Sequence, residues 1–335
     1  MTKFSNTLIA EIGSVHDGSF GNALKLIDLA KEVGADAVKF QTHLADFEVT
    51  VEARRPRHFS EEDRSDYFTR TGFSALQWSG LKKHADEIGI EFISSVFSIE
   101  AVDLLDDIGV SVHKVPSGEL TNIPLLEKLV ESGKPVILST GMSGWSEIDY
   151  AFKTLGGNRQ LEIAILQCTS MYPCPPERVG LNVISEIQDR YGSTAGFSDH
   201  TYGPAASIAA AALGARLIEK HLTFSTRMYG SDAPYAMEPD SFKSMSSSIN
   251  EVWKMNESNL DKDDLSGLEI TRATFQGVLV ASHDLDSGHQ ITEKDVTVRK
   301  SEEGLSPMAL KSLIGKKLLS SKRINERFFL SDLVD

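Results

Sequence analysis

One pattern occurs twice in this chain, in Thr194-Ala-Gly-Phe-Ser-Asp-His200 and again in Ala215-Arg-Leu-Ile-Glu-Lys-His221: a short strand-like run ends in polar residues and a histidine. The alanine-rich segment between them, residues 204–213, predicts a helix. A strand, a helix and a strand in succession make the two strands parallel, so both carboxyl ends emerge on one face of the sheet. We therefore expect His200 and His221 to lie near enough to share a ligand.

This pair of histidines indicates a metal site. Two imidazoles on a rigid parallel sheet suit a divalent transition metal, whose remaining positions carboxylates or water would fill. Asp199 beside His200 and Glu219 near His221 are nearby carboxylates. The alternative is that each histidine only caps its strand by hydrogen bonding. The occurrence of two at equivalent strand ends favours the metal.

The alternation of strands and helices extends through most of the chain. Strands are predicted at residues 8–11, 37–41, 91–95, 112–115, 135–139 and 161–167, with helices near 20–33, 75–88, 100–108, 124–131, 146–155, 182–191 and 240–255. About eight strand and helix pairs close a parallel (β/α)8 barrel of the TIM type. The alternative is a doubly wound open sheet, whose dinucleotide-binding form needs a Gly-x-Gly-x-x-Gly turn that Gly13-Ser-Val-His-Asp-Gly18 does not supply.

The composition and the pattern of predicted elements change after residue 255, which predicts a second domain. The polar, charged run from Asn256 to Asp264 indicates a linker, and short strands are predicted at 277–281, 286–291 and 296–299. We predict a barrel domain at 1–258, a linker at 259–272 and a small, mostly β domain at 273–335.

The one irregular insertion in the barrel is residues 42–72, which is too long for a simple connection. It follows a strand, so it lies on the face where barrel active sites form. Arg54, Arg55, Arg57 and His58 make it locally basic. It is either a solvated loop or a lid or dimer contact.

Composition excludes several classes of function. A net charge of -14 argues against non-specific nucleic-acid binding, so an anionic ligand would need a local cluster of cations. There is no apolar run long enough to cross a bilayer and no signal-peptide pattern, so we expect no membrane association and a cytoplasmic location. Cys168 and Cys174, the only cysteines, cannot form a disulfide scaffold, and we interpret them as ordinary thiols.

Polar residues at the carboxyl ends of barrel strands point into the site. This rule selects Glu11, Lys39, Gln41, Ser95, Lys114, Ser117, Glu119, Ser139, Gln167, Ser198, Asp199, His200 and His221. The lysines and serines would bind a phosphate or carboxylate, and the glutamates would move protons. The alternatives are that the serines form turns and that Glu11 is a buried ion-pair partner of Lys39.

A lysine at a strand end could also be the amine of a Schiff-base aldolase. The candidates are Lys39, Lys114 and Lys220, although Lys220 alternates with His221 and would then face outward. The histidine pair favours metal chemistry over an imine.

These segments resemble the signatures of the sialic acid synthases, a family that includes the 9-phosphate, legionaminic and pseudaminic acid synthases. The matching motifs are Ala10-Glu-Ile-Gly13, Val38-Lys-Phe-Gln41, Lys114-Val-Pro-Ser-Gly-Glu119, Leu138-Ser-Thr-Gly-Met142, Cys168-Thr-Ser-Met-Tyr-Pro173, Gly196-Phe-Ser-Asp-His200, Glu219-Lys-His221 and Gly230-Ser-Asp232. They occur in order over nearly the whole barrel. The last part of the chain, with Gly315-Lys-Lys, resembles the family's antifreeze-like (SAF) domain.

The resemblance implies a condensation of phosphoenolpyruvate with an open-chain amino sugar aldehyde such as N-acetylmannosamine, with release of phosphate. It implies that His200 and His221 hold Mn²⁺ or Mg²⁺, and that Glu11 and Glu119, with His200 and Asp199, are catalytic. The residues implied to bind phosphoenolpyruvate are Lys39, Ser95, Lys114, Ser117, Ser139, Ser170 and Ser198. Those implied to bind the sugar are Gln41, Tyr172 and Asp232, together with Arg299 and Lys300.

The chain departs from the family pattern at two places. Ser170 stands where many bacterial members carry Asn, and Thr169-Ser-x-Tyr172 resembles animal-type enzymes that use a sugar 6-phosphate. Arg299-Lys-Ser-Glu-Glu-Gly304 replaces an Arg-Pro-x-x-Gly segment, whose arginine in the family reaches the partner's sugar, and this puts Lys300 at the arginine position. The acceptor sugar and its phosphorylation therefore stay open.

The family's assembly is a head-to-tail, domain-swapped homodimer in which the small domain covers the partner's barrel, so the resemblance implies one here. The alternatives for function are another phosphoenolpyruvate-condensing synthase or a barrel aldolase acting on a different sugar, and a sugar-binding protein without turnover.

Overall fold

A computed structural model describes residues 4–50 and 62–334. The chain divides into two compact units, Met1–Ser258 and Asn259–Asp335. In the described ranges, every helix is either too short or too polar to cross a membrane.

The first unit contains a closed barrel of eight parallel strands. The strands are β1 (Thr7–Gly13), β2 (Ala37–Thr42), β3 (Glu91–Val96), β4 (His113–Val115), β5 (Val136–Ser139), β6 (Ile163–Cys168), β7 (Thr194–Asp199) and β8 (Leu217–His221). Each strand pairs with the next along the chain, and β1 pairs with β8, so the sheet has no edge. The predicted (β/α)8 barrel is confirmed.

Helices surround the barrel. They are α1 (Phe20–Glu32), α2 (Ala45–Glu48), α3 (Arg64–Thr71), α4 (Ala75–Ile88), α5 (Ile99–Asp107), α6 (Ile123–Ser132), α7 (Trp145–Thr154), α8 (Val183–Tyr191), α9 (Ala205–Ala212) and α10 (Pro239–Glu257). The insertion predicted at 42–72 contains α2 and α3. Arg54, Arg55, Arg57 and His58, which make the insertion locally basic, lie outside the described residues.

Local sequence fixes the ends of these helices, as α4 illustrates. The Ser74 hydroxyl accepts from the backbone N–H of Gln77, and the Gln77 side chain accepts from the backbone N–H of Ser74. This capping box satisfies donors at the start of the helix. The helix ends at Gly89, whose φ of 71° lies in the left-handed region that glycine adopts without a steric cost.

Successive side chains of each strand point to opposite faces of the sheet, and this alternation separates the apolar core from the site. In β2, Val38 and Phe40 point outward into the apolar layer beneath the helices, whereas Lys39 and Gln41 point into the barrel. Phe40 packs against Phe92 with ring centroids 5.5 Å apart. A second apolar group at the other end of the barrel interior consists of Phe4, Ile9, Ala37, Ile93, Val112, Ile137, Ala164, Leu166 and Leu217. The barrel thus has an apolar base and a polar upper end.

The second unit is small and has few regular elements. They are α11 (Glu269–Phe275), β9 (Gly277–Ala281), β10 (Val296–Lys300), α12 (Leu310–Leu313), β11 (Lys317–Leu318) and β12 (Leu333–Val334). Its core includes Leu279, Leu285 and Phe328. The strand predicted at 286–291 is wrong: there are only isolated bridges at Leu285 and Gln290, because the chain turns at Gly288, where φ is 77°.

Candidate active site

The carboxyl ends of the barrel strands surround a cavity of about 370 Å³. Most of the residues predicted for the site line it: Glu11, Lys39, Gln41, Ser95, Lys114, Ser117, Ser139, Ser170, Tyr172, Ser198, His200, His221 and Asp232. They come from every strand of the barrel or from the loop after it. Their convergence follows from parallel closure, since each carboxyl end opens onto the same space.

Several predicted residues lie elsewhere. Asp199 alternates with Ser198 and faces away from the cavity, where its carboxylate pairs with Lys220 at 3.0 Å and accepts from the Ser207 hydroxyl at 2.6 Å. This placement speaks against direct chemistry by Asp199, and it agrees with the outward orientation predicted for Lys220. Gln167 is also outside the cavity lining, because its amide donates to the Val179 carbonyl at 2.9 Å.

Glu119 ends a short 3-10 turn, Ser117–Glu119, after β4 and is not part of the cavity lining. Its carboxylate accepts from the Asn122 amide at 2.7 Å, and burial raises its pKa. Arg299 and Lys300 are exposed on β10 of the second unit, where Arg299 donates to the Thr297 hydroxyl at 3.2 Å. A role for these three residues stays a prediction.

Two buried lysines dominate the electrostatics of the cavity. The Lys39 ammonium lies 2.8 Å from Glu11 and donates to the Ser95 hydroxyl at 2.9 Å, so the ion pair considered for Glu11 is present. The Lys114 ammonium donates to the Ser139 hydroxyl at 2.8 Å, and burial lowers its pKa. Each lysine therefore carries a hydroxyl beside its charge, which is the arrangement that binds phosphate or carboxylate oxygens.

Two buried glutamates respond differently to these lysines. Burial raises the pKa of Glu11 to about 7, with a further contribution from Glu219 and against the attraction of Lys39. Glu219 lies between both lysines, 3.7 Å from Lys39 and 3.9 Å from Lys114. Although burial alone would raise it, these two cations and the Ser198 hydroxyl lower the pKa of Glu219 to about 2. Glu219 is thus a fixed charge, whereas Glu11 can gain or lose a proton near neutral pH.

The two histidines lie together as predicted, with ring centroids 5.8 Å apart. His200 Nδ1 donates to the Thr169 carbonyl at 2.9 Å, and Nε2 lies 3.0 Å from the Tyr172 hydroxyl. Burial would lower the pKa of His200, but Cys168, the Thr169 carbonyl and Glu219 raise it above its ordinary value. Burial, together with the nearby charges of His200 and Lys39, lowers the pKa of His221 to about 4, and its buried Nδ1 has no hydrogen-bond partner among the described residues.

This donor set fits a divalent cation. Two imidazole nitrogens with lone pairs are the ligands that such ions accept from histidine. No group of three or more His, Cys, Asp or Glu side chains in the described part of the chain is arranged to hold a metal ion. Substrate oxygens and water would therefore have to complete the coordination.

Gln41, Tyr172 and Asp232, three of the residues predicted for the sugar, line the same cavity. Asp232 accepts from the backbone N–H and hydroxyl of Ser14 at 2.9 and 3.0 Å. Gly13 permits this approach: its φ is 54°, and a Cβ there would lie 2.2 Å from Asp232 Oδ2. The Gln41 amide donates to Glu11 at 2.8 Å, which ties these residues to the lysine cluster.

Sequence reasoning missed several lining residues, including His43, Phe68, Phe97, Cys168 and Tyr235. The period of two that selects Lys39 and Gln41 continues to His43, so that signal was available. Cys168 differs from the ordinary thiol expected: burial would raise its pKa, but His200 and Lys114 nearby lower it. The aromatic residues come from other segments of the chain and carried no signal.

A closed parallel barrel with buried lysines, glutamates, hydroxyls and a histidine pair at its carboxyl end defines the class, a (β/α)8-barrel enzyme with a polar site. The chain matches the NeuB family over residues 26–260 and the SAF domain over residues 276–334. It belongs to the NeuB family, and the resemblance to sialic acid synthases and the predicted SAF domain are confirmed.

Two curated relatives illustrate the match. The chain is 34% identical over 319 residues to the N,N'-diacetyllegionaminic acid synthase of Campylobacter jejuni, covering 92% of this chain and 94% of that protein. It is 33% identical over 340 residues to the human N-acetylneuraminate-9-phosphate synthase, covering 98% of this chain and 92% of that protein. The crystal structure of the N-acetylneuraminic acid synthetase of Leptospira borgpetersenii with citrate aligns with a TM-score of 0.70 at 27% identity, over 81% of this chain and 92% of that one.

Proposed function

We propose that this chain condenses phosphoenolpyruvate with the aldehyde of an open-chain amino sugar of the N-acetylmannosamine type and releases phosphate. The observation that carries the proposal is the pair of buried ammonium groups, Lys39 and Lys114, each with a serine hydroxyl within 2.9 Å, inside a protein of net charge -14. Two buried ammonium groups beside hydroxyls bind a small, highly charged anion once a proton on Glu11 or a bound cation offsets the paired glutamates.

The proposed reaction needs three events in one cavity. The methylene carbon of phosphoenolpyruvate bonds to the aldehyde carbon, and the enol carbon becomes cationic. Water then adds to that carbon, and the bond between this carbon and the bridging phosphate oxygen breaks as the carbonyl forms. Lys39 and Lys114 would hold the phosphate as it departs, and Glu11, with a pKa near 7, would take up or supply a proton at working pH.

His200 and His221 would hold the divalent ion, Mn²⁺ or Mg²⁺, that this chemistry calls for. When bound, such an ion polarises a carbonyl oxygen as a Lewis acid. The Tyr172 hydroxyl, which is hydrogen-bonded to His200, would bind the acceptor sugar together with Gln41 and Asp232. The head-to-tail homodimer, with Arg299 or Lys300 reaching the partner's sugar site, and a cytoplasmic location belong to the same proposal.

The test is phosphate release from phosphoenolpyruvate with Mn²⁺ and a panel of acceptors: N-acetylmannosamine, its 6-phosphate, and the diacetamido hexoses that lead to legionaminic and pseudaminic acids. We expect release with one acceptor and its loss on adding a chelator. The variant K114Q should lose at least about tenfold in kcat/KM, because one charge-assisted bond to phosphate is removed. K128Q is the matched control, since Lys128 lies on the barrel surface and pairs with Asp103.

Two results would replace the proposal. Binding of phosphoenolpyruvate and sugar without any release indicates a sugar-binding protein on the same fold. Inactivation by borohydride in the presence of substrate indicates an imine on Lys39 or Lys114, and therefore an aldolase.

A further inference from the structure

Hydroxyl groups surround the carboxylate of Asp232, which lines the cavity. Oδ2 of Asp232 accepts from the backbone N–H of Ser14 at 2.9 Å and from its hydroxyl at 3.0 Å, and Oδ1 accepts from the Ser231 hydroxyl at 3.2 Å. Ser14 follows β1 and is not part of the cavity lining. It can therefore act on a ligand only through Asp232.

The Ser14 hydroxyl has a partner of its own, which comes from the insertion after β2. Tyr67, on α3, donates from its hydroxyl to Ser14 Oγ at 2.7 Å. Ser14 Oγ gives its single proton to Asp232, so its lone pairs are free to accept this bond. Hydrogen bonds that follow one another in this way strengthen each other. Tyr67 and Ser14 thus form a chain of donors that ends on the carboxylate.

The Tyr67 side chain is held in place. The residue is only 4% exposed, and the guanidinium of Arg70, one turn later on α3, lies 5.4 Å from the centre of its ring. Arg70 also pairs with Asp17 at 2.7 Å, in the same loop as Ser14. This loop and α3 approach closely at Gly18, where a Cβ would lie 2.3 Å from the Arg70 carbonyl. The Tyr67 hydroxyl therefore has a defined position beside Ser14.

The loop after β8 packs against the same hydroxyl. A Cβ on Gly230 would lie 3.6 Å from Tyr67 Oη, and this hydroxyl also contacts Ser231. The Tyr67 hydroxyl is thus located where the loops after β1 and β8 meet, next to Asp232. A side chain that a ligand has to order weakens the binding of that ligand, whereas one that is already ordered does not.

We infer that Tyr67 is a positioning residue for the acceptor sugar, whose hydroxyl acts through Ser14 to hold the Asp232 carboxylate in the orientation that receives a sugar hydroxyl. A carboxylate has about four lone-pair positions. Ser14 fills two on Oδ2 and Ser231 fills one on Oδ1, so the contacts within the described chain leave a position on Oδ1 for the ligand. The inference rests on the proposed function, in which Asp232 binds the sugar, and it gives α3 of the insertion a part in acceptor binding.

Turnover with the accepted sugar gives the first test. Y67F removes the hydroxyl and keeps the ring. We expect KM for the sugar to rise about fivefold, the effect of losing one hydrogen bond between neutral groups, while kcat and KM for phosphoenolpyruvate change by less than about twofold. A residue that only supported the fold would not give this separation, because its loss would affect both substrates and kcat together.

Double variants test whether Tyr67 acts through Ser14. S14A removes the hydroxyl between Tyr67 and Asp232 and keeps the backbone hydrogen bond of residue 14 to Asp232. S14A should raise KM for the sugar at least as much as Y67F does. In the S14A background, Y67F should change this KM by less than about twofold further, since residues that act through one another are not additive.

Y191F is the matched control. The Tyr191 hydroxyl donates to Asp149 at 2.8 Å, at the end of α8 and outside the cavity lining, so Y191F also removes one tyrosine hydrogen bond to a polar side chain. It should leave KM for both substrates unchanged.

Crystal structures test the positioning without turnover. The wild type should show one orientation of Asp232, the same with and without bound sugar, and Y67F without sugar should show more than one. If Y67F does not fold, the wild-type pair of structures carries the test, since an Asp232 that turns away from Ser14 when the sugar binds overturns the inference.

An unchanged KM for the sugar in Y67F also overturns it, and so does full additivity of Y67F and S14A. Absence of turnover with every acceptor would defeat the proposed function, and a single orientation of Asp232 in both the wild type and Y67F would then defeat the role of Tyr67 separately.

Discussion

Replacement of Glu219 by glutamine should make the barrel dependent on a bound anion. Glu219 is fully enclosed and lies 3.7 Å from Lys39 and 3.9 Å from Lys114, and it is the only carboxylate within 4 Å of Lys114 in the described structure. Lys39 keeps a second partner in Glu11 at 2.8 Å. The substitution keeps the acceptor for the Ser198 hydroxyl but leaves the Lys114 ammonium buried without a counter-charge.

Two estimates give the size of the effect. At an effective dielectric constant of about 20, one pair at this separation contributes about 4 kcal/mol before desolvation is subtracted. Removal of one partner from a buried pair costs about 3 to 5 kcal/mol in general. Independently, the fall in the pKa of Glu219 from 4.5 to about 2 corresponds to about 3 kcal/mol of folding free energy. We expect E219Q to be about 3 kcal/mol less stable than the wild type.

The pH dependence has a definite sign. Because the pKa of Glu219 is depressed in the folded state, its contribution is complete above pH 4.5 and is lost as the pH falls towards about 2. The stability difference between the wild type and E219Q should therefore shrink in acid, and it should also change near pH 7, because the charge of Glu219 contributes to the raised pKa of Glu11. It is measured as the free energy of unfolding in urea at several pH values.

Phosphate provides the decisive comparison. In E219Q an anion can take the place of the missing carboxylate beside Lys114, so saturating phosphate should restore more stability to E219Q than it adds to the wild type. S207A is the control, since it removes a buried hydrogen bond of 2.6 Å to the Asp199 carboxylate outside the cavity, and it should cost about 1 to 3 kcal/mol with no change in the phosphate effect. Equal stability of E219Q and the wild type, with equal phosphate effects, would refute the electrostatic reasoning.

Three further outcomes are expected. G13A should lower the free energy of unfolding by about 1 to 2 kcal/mol, because residue 13 has a left-handed backbone, and it should raise KM for the sugar, because the new Cβ would lie 2.2 Å from Asp232. G89A is the control: Gly89 has a φ of 71° and open space around it, so this variant should show only the backbone cost in urea unfolding and leave KM unchanged. E11Q should remove a limb near pH 7 from the kcat/KM profile, and a limb that persists would assign it to another group. Mn²⁺ affinity, measured by calorimetry, should fall as the pH falls through the raised pKa of His200, because protonation removes a ligand lone pair, whereas His221, with a pKa of about 4, stays neutral there. H221A should abolish Mn²⁺ binding, and an affinity that stays constant as the pH is lowered through this range would contradict the assignment of His200 as a ligand.

The barrel and most of its cavity could be predicted because both depend on periodic patterns. Parallel closure brings every strand end to one face, so a list of strand ends such as Lys39, Lys114 and His221 is already a list of neighbours. Asp199 shows that a list of motif residues is insufficient unless the alternation of side chains between the two faces of a strand is also considered. It stands between Ser198 and His200, which face the cavity, and therefore faces outward to Lys220.

The remaining features depend on contacts between distant segments. The strand predicted at 286–291 fails because Gly288 turns the chain, although the local pattern resembled a strand. The rings of Phe68 from α3 and Phe97 after β3 both stack on the ring of His43, and nothing in the sequence indicates that these rings meet. The pKa shifts of Glu11 and Glu219 are opposite in sign for the same residue type, because Glu219 faces both lysines and the Ser198 hydroxyl, whereas Glu11 faces one lysine and the charge of Glu219, an arrangement that only the fold provides.

The charges at the carboxyl end of the barrel also suggest why the proposed reaction would need a cation. Lys39 and Lys114 are matched by Glu11 and Glu219, so with all four ionised the cluster is neutral and cannot by itself compensate a phosphate and a carboxylate. Two changes would make it positive: a proton on Glu11, which its pKa of about 7 allows, and a divalent ion on the adjacent histidines. Within the proposed function, proton uptake and metal binding would then serve the same end, the admission of a multiply charged anion into an acidic protein.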